Sequence, residues 1–161
     1  MSRPDARINV ILDAVVARLL TIDGDPDTYL THPKKVLRWC ENPLVEPTPL
    51  LVVRCSAWGP NEPQTGLQHE ARADIEVEVW VKFEGRIDDP NRELHRACSD
   101  VMCAIEADWQ LSDLNGDVPA VPDLQIHVFD GYEPASSPGA AGYARAVVKL
   151  RAYWPWDSTA A

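Results

Sequence analysis

Apolar and polar residues alternate without interruption along residues 69–83. Ala71, Ala73, Ile75, Val77, Val79, Val81 and Phe83 take one set of positions, and Glu70, Arg72, Asp74, Glu76, Glu78, Trp80 and Lys82 take the other. Successive side chains of a strand point to opposite faces, so the pattern predicts a strand with one buried and one polar face. The thirteen positions from Ala71 to Phe83 span roughly 40 Å at the usual rise, about twice a common strand. Such a strand is expected to outgrow its own domain.

Helical spacing dominates the start of the chain. Ile8, Leu12, Val15, Leu19 and Ile22 recur three and four apart, with Ile11 and Val16 widening the stripe. A helix over residues 4–22 is predicted, with Ser2 as N-cap, Pro4 in the first turn, and Gly24 and Pro26 ending it. Residues 34–39 suit a short strand, and Pro43, Pro47 and Pro49 make the following stretch extended. Residues 50–57, with Leu50, Leu51, Val52 and Val53, are apolar on both faces and fit an interior strand. Gly59-Pro60, Pro63 and Gly66 mark residues 58–68 as a long loop.

A second helix follows Asp88-Asp89-Pro90, which reads as an N-cap before a proline at the first helical position. It carries Leu94, Ala97, Cys98, Val101, Ile105 and Trp109 on one stripe to about residue 110. Asn115-Gly116 marks a turn, and Leu124, Ile126 and Val128 alternate as a strand. Residues 131–142 read as a flexible hairpin tip, with residues 157–161 a frayed tail. The last strand, 143–153, places Ala144, Ala146, Val148, Leu150 and Ala152 on one face.

These elements predict a single α+β domain over residues 1–161, in the order α-β-β-β-α-β-β, around one mixed or antiparallel sheet. Both helices belong on one face, because their stripes need the apolar layer that the alternate strand positions supply. The opposite face then shows Glu70, Asp74, Glu76 and Glu78 on the long strand and Arg145, Lys149 and Arg151 on the last. If the two strands are neighbours, these charges pair.

Charge and side-chain chemistry add few constraints. A formal charge of −10, from 25 acidic and 15 basic side chains, repels phosphate backbones, so DNA is expected only as something that passes by. No apolar run approaches the roughly 18 residues of a membrane span, and the N-terminal segment carries Asn9, Asp13 and Arg18, unlike a secretory leader. Assembly in the cytoplasm and no membrane partner are expected. Cys40, Cys55, Cys98 and Cys103 lack metal-ligand spacing and read as free thiols, with Cys98 and Cys103 pointing in different directions from one helix. Asp23, Asp25 and Asp27 resemble part of a calcium loop but lack its downstream glutamate, so a solvated turn is expected. His32, His69, His95 and His127 are scattered, and no Walker A, GxGxxG, GxSxG or HExxH pattern occurs. No catalytic, cofactor or metal site is expected.

The order of helix Ile8–Ile22, the strands 49–57 and 71–83, helix 90–109 and closing strand 144–153 resembles the tail terminator and tail completion proteins of long-tailed phages. That group includes the tail terminator of phage lambda. The resemblance covers nearly the whole chain and is one of architecture. It implies a structural virion protein without cofactor that forms a ring, typically a hexamer, on the last ring of the tail tube. Such a ring stops tube growth and offers the attachment surface for the filled head. Its implied partners are copies of itself, the tail tube protein and a head-completion or neck protein. A head-tail connector or stopper is the alternative, and a small-molecule-binding domain or enzyme a remote one.

Self-association is expected through the long strand and exposed aromatics. Trp80, an aromatic among charges, is the first contact candidate, with Glu76 and Glu78 beside it. Arg145, Lys149 and Arg151 on the last strand, Trp58 and Trp154 complete the set.

Overall fold

The structure, a computed structural model, describes residues 6–60, 70–82, 91–112, 118–134 and 142–156. In chain order these form α1 (Arg7–Leu19), β1 (Lys35–Leu37), a 3-10 turn (Pro43–Val45), β2 (Leu50–Pro60), β3 (Glu70–Lys82), α2 (Arg92–Glu106), β4 (Gln125–Pro134) and β5 (Tyr143–Pro155). The strands make one mixed sheet in the order β1-β2-β3-β5-β4, with β1 parallel to β2 and every other neighbour antiparallel. The α+β class and the element order expected from the sequence are both present.

β3 and β5 fix the dimensions of the sheet. They pair from Glu70↔Pro155 to Lys82↔Tyr143 without a register shift. Ala71, Ala73, Ile75, Val77, Val79 and Val81 of β3 are buried on one face, beside Ala144, Ala146, Val148, Leu150 and Ala152 of β5. The same core cluster takes in Ile8, Ile11, Leu12, Val15 and Leu19 of α1 and Leu94, Ala97, Cys98, Val101, Ala104 and Ile105 of α2. Both helices therefore lie on one face of the sheet. Each large apolar side chain buried there contributes about 1.5–3 kcal/mol, and the short alanines let the helices approach the strands closely. The reverse face carries a smaller, separate apolar patch of Cys40, Leu50 and Val52, with Leu37 and Trp80 packed against it.

Asp100 fastens the connection between α1 and β1 to α2. It is only 3% exposed and faces the same seam as Ala97 and Ala104. Its carboxylate accepts from the backbone N–H of Leu30 and of Thr31, at 3.0 and 2.7 Å, and from the Thr31 hydroxyl at 2.6 Å. Buried polar groups survive when satisfied in this way.

Several boundaries differ from the pattern-based expectation. α1 begins at Arg7 after Ala6, which makes no side-chain cap. Its end comes at Leu19, yet Ile22 stays buried because turn hydrogen bonds, Thr21 to Arg18 and Ile22 to Leu19, carry the chain onward. α2 stops at Glu106, short of Trp109, because Asp108 captures the N–H groups of Gln110 and Ser112 in a turn. β2 continues through Trp58-Gly59-Pro60 instead of entering a loop. β1 stops at Leu37, opposite Val52, so this part of β2 pairs only with β3 among the described residues, and an edge strand accommodates proline. β4 likewise runs on to Pro134. Asp130 and Gly131, both at positive φ, form a bulge between Val128 and Tyr132, in place of the start of a hairpin tip. The Ser2 cap, the Asp88-Asp89-Pro90 cap, residues 61–68, the Asn115-Gly116 turn, residues 135–141 and the tail 157–161 lie outside the described residues.

Candidate functional site: the charged face of the sheet

Period-two alternation delivers the polar residues of β3 and β5 to the face away from the helices. The register then sets who meets whom: Asp74 opposite Arg151, Glu76 opposite Lys149, and Trp80 opposite Arg145. Two ionic nodes result. In the first, Asp74 accepts from Arg72 Nη2 and from Arg151 Nε, each at 2.8 Å. The Arg151 guanidinium lies 3.7 Å from the centroid of the Phe129 ring, a cation–π contact from the neighbouring strand. Ser56, Glu76, Lys149 and these groups line a shallow cleft of about 190 Å³.

The second node is more enclosed. Glu78 is only 5% exposed. One carboxylate oxygen accepts from Arg145 Nη2 at 3.1 Å and lies 3.5 Å from Arg54 Nε. The other accepts from the Trp80 indole N–H at 3.0 Å. The Arg145 guanidinium sits over the Trp80 ring, 5.3 Å from its centroid. Glu78 thus holds two arginines and a tryptophan in one arrangement.

The hydrogen bond from Arg72, then those of Arg151, hold the Asp74 carboxyl below its ordinary value of 3.8, against the opposing effect of burial. A carboxyl lowered on folding contributes stability that is fully present above the unfolded value and is lost as pH falls through the folded one. Asp74→Asn is therefore expected to lower the urea midpoint at about pH 7 and to lower it by less at about pH 3, which lies below the unfolded value. A gap of constant size at both pH values would contradict the assignment.

Of the residues singled out in the sequence, Trp80, Glu78 and Arg145 meet in one node, Glu76 faces Lys149, and Arg151 belongs to the other node. Trp58 and Trp154 do not join them. A register shift between Cys55 and Ala57, the extra residue being Ser56, turns Trp58 to the side of buried Ala73, the helix side. There it is 47% exposed and packs at 6.4 Å from Trp156. Trp154 shares the parity of Ala144–Ala152 and is only 3% exposed within the main core, so its part is packing and it has almost no surface to offer a partner. Arg54, Arg72 and Phe129 join the site without having been singled out by the sequence. The alternation marks Arg72 as outward, whereas Phe129 reaches Arg151 from a different strand, which spacing does not reveal.

The other sequence features settle into local roles. The carboxylates of Asp23 and Asp25 accept from the N–H groups of Asp25 and Asp27, closing tight turns. His127 is exposed and stacks with Trp109 at 6.4 Å. Among the described residues, no group of three or more His, Cys, Asp or Glu side chains could hold a metal ion. A groove of about 530 Å³ between α1 and residues 111–112 and 118–120 is lined mainly by Val10, Ala14, Ala17, Leu111, Val118 and Ala120. Arg18, which also borders it, is paired with Asp108. No family model matches the chain, and no curated protein matches it either.

Proposed function

We propose that the chain is a structural subunit of a phage tail, a tail terminator. In this reading copies of it close into a ring that caps the tail tube, halts its polymerisation and presents a surface for head attachment; the number six comes from the resemblance alone. The observation that carries the reading is the sheet itself. Two thirteen-residue strands are covered by helices on one side, and the other side bears ionic nodes with Trp80 half-buried among them. An isolated subunit has little use for so extended a charged face, whereas a neighbour in a ring can read it by charge and register. The element order is the one on which the resemblance to terminators rests.

The test mixes purified protein with unterminated tail tubes and follows tube length and end structure by electron microscopy. Capped tubes of uniform length are expected with the wild type, and about tenfold weaker capping with Trp80→Ala, the scale of a modest interface contact. Capping by the variant at wild-type efficiency would remove Trp80 from the contact. Wild-type protein that leaves tubes uncapped but joins portal-bearing heads would make it a connector or stopper instead. Binding to neither would end the assembly reading.

A further inference from the structure

Residues 38–49 cross the charged face of the sheet as a strap between β1 and β2. Of these twelve residues Cys40 alone is buried, at 7% exposure. It sits on Leu50, Val52 and Trp80 in the small patch on that face, apart from the main core. Leu50 and Val52 are fully buried beneath it. The outward side of the strap carries Trp39, 69% exposed, and Val45, 75% exposed, among the exposed polar residues Arg38, Glu41 and Asn42.

Among the described residues the side-chain fastenings are polar and lie at the surface, and the Pro49 carbonyl accepts from the Lys34 N–H at 2.8 Å. Arg38 donates to Asp13 at 2.8 Å and to Asn9 at 3.2 Å, Lys35 pairs with Glu46 at 2.6 Å, and the Tyr143 hydroxyl donates to the Leu44 carbonyl at 2.7 Å. The Lys82 N–H donates to the Thr48 hydroxyl at 3.1 Å. Water competes for each of these, so each adds little to holding the segment in place. By contrast, the strands beneath are paired over most of their length and locked by the main core. Stability is therefore unevenly spread, the condition for a segment to open by itself while the domain stays folded.

We infer that the strap is a cover that opens independently of the core, and that its opening uncovers Leu50, Val52 and Trp80. Closed, it withholds most of this apolar surface and spares the free subunit an exposed patch. Open, it offers Trp80 together with two aliphatic neighbours. Pro43, Pro47 and Pro49 stiffen the segment, so it moves as a bent unit whose unfolded alternatives are restricted. That opening gates contact between subunits rests on the ring reading above; the opening itself does not.

The two buried thiols report the two levels of opening. Cys40 lies in the strap and Cys98 in α2, within the main core. The full-length protein is labelled with a maleimide in native buffer and in low urea, and each cysteine is followed by peptide mass spectrometry. Cys40 is expected to label at least about tenfold faster than Cys98, with a much shallower dependence on urea, because little surface is exposed when the strap alone opens. Tyr143→Phe, which removes one surface hydrogen bond, is expected to speed Cys40 about fivefold and leave Cys98 unchanged. Equal rates and equal urea slopes for the two thiols would overturn the inference, since strap and core would then open as one. So would a Tyr143→Phe variant that speeds both thiols alike. Tube capping is measured on the same variant: faster capping supports gating, and unchanged or slower capping with faster Cys40 labelling overturns gating while the opening stands.

Discussion

Asp100→Ala is expected to lower the unfolding free energy by about 3–4 kcal/mol, a larger loss than the removal of any exposed ion pair would cause. The carboxylate takes two backbone N–H groups and one hydroxyl of the α1–β1 connection. Alanine removes the acceptor and strands the N–H and hydroxyl donors of Thr31, which is only 7% exposed, whereas Leu30 is 61% exposed and its N–H is only partly shielded. Each abandoned donor costs about 1–3 kcal/mol, which outweighs the small gain in helix propensity from alanine. For a domain of this size the loss corresponds to a melting point lower by about 10 °C. Asp100→Asn retains one acceptor oxygen and should fall between the two, and Thr31→Val should lose about 1 kcal/mol. Urea melts of the three variants decide the matter. A loss below about 1 kcal/mol for Asp100→Ala would mean that water takes over the donors and the carboxylate is dispensable.

Glu78→Ala is expected to cost about 2–3 kcal/mol, at and just below the lower end of the roughly 3–5 kcal/mol for breaking a buried ion pair. The carboxylate is buried, but its arginine partners are not: the side chains of Arg145 and Arg54 are 34% and 42% exposed. Their partial hydration moderates the loss. What remains after the substitution is two arginines without the carboxylate they share and an indole N–H without its acceptor. The Arg145 Nε is itself buried and has no hydrogen-bond partner among the described residues. A double-mutant cycle with Arg145→Ala should give a coupling of about 1–2 kcal/mol. Raising salt should change it little, because the carboxylate is shielded from solvent ions. Additive effects of the two substitutions would show that the node is a coincidence of packing and that Glu78 stands alone.

Whether a feature is legible in the sequence depends on whether local spacing or long-range contact decides it. The buried and polar faces of β3 and β5 follow from period two alone, and their charges foretell the pairing of Asp74 with Arg151. The stripes of α1 and α2 likewise place both helices against the same layer. Trp58 escapes this reasoning because one extra residue, Ser56, changes the phase of β2, and nothing in the local composition announces it. Gly131, read as the start of a hairpin tip, belongs to a bulge instead, because a bulge and a tight turn need the same positive φ. Asp100 is legible in principle: it falls three after Ala97 and four before Ala104, inside the apolar seam, where a carboxylate must have partners. Its partners, seventy residues away, are not. The strap is invisible for a different reason, since its position comes from surface contacts that no periodicity encodes.

β5 is the last strand of the described chain, yet it is no edge strand: β3 flanks it along its whole length and β4 along much of the other side. Hydrogen bonds between antiparallel strands run perpendicular to them. A pull along the axis of β5 therefore loads its bonds on both flanks together, in shear, whereas a pull across the axis would open them one after another. The strand is thus built as a mechanical anchor, and tension delivered along its end is shared by the entire middle of the sheet.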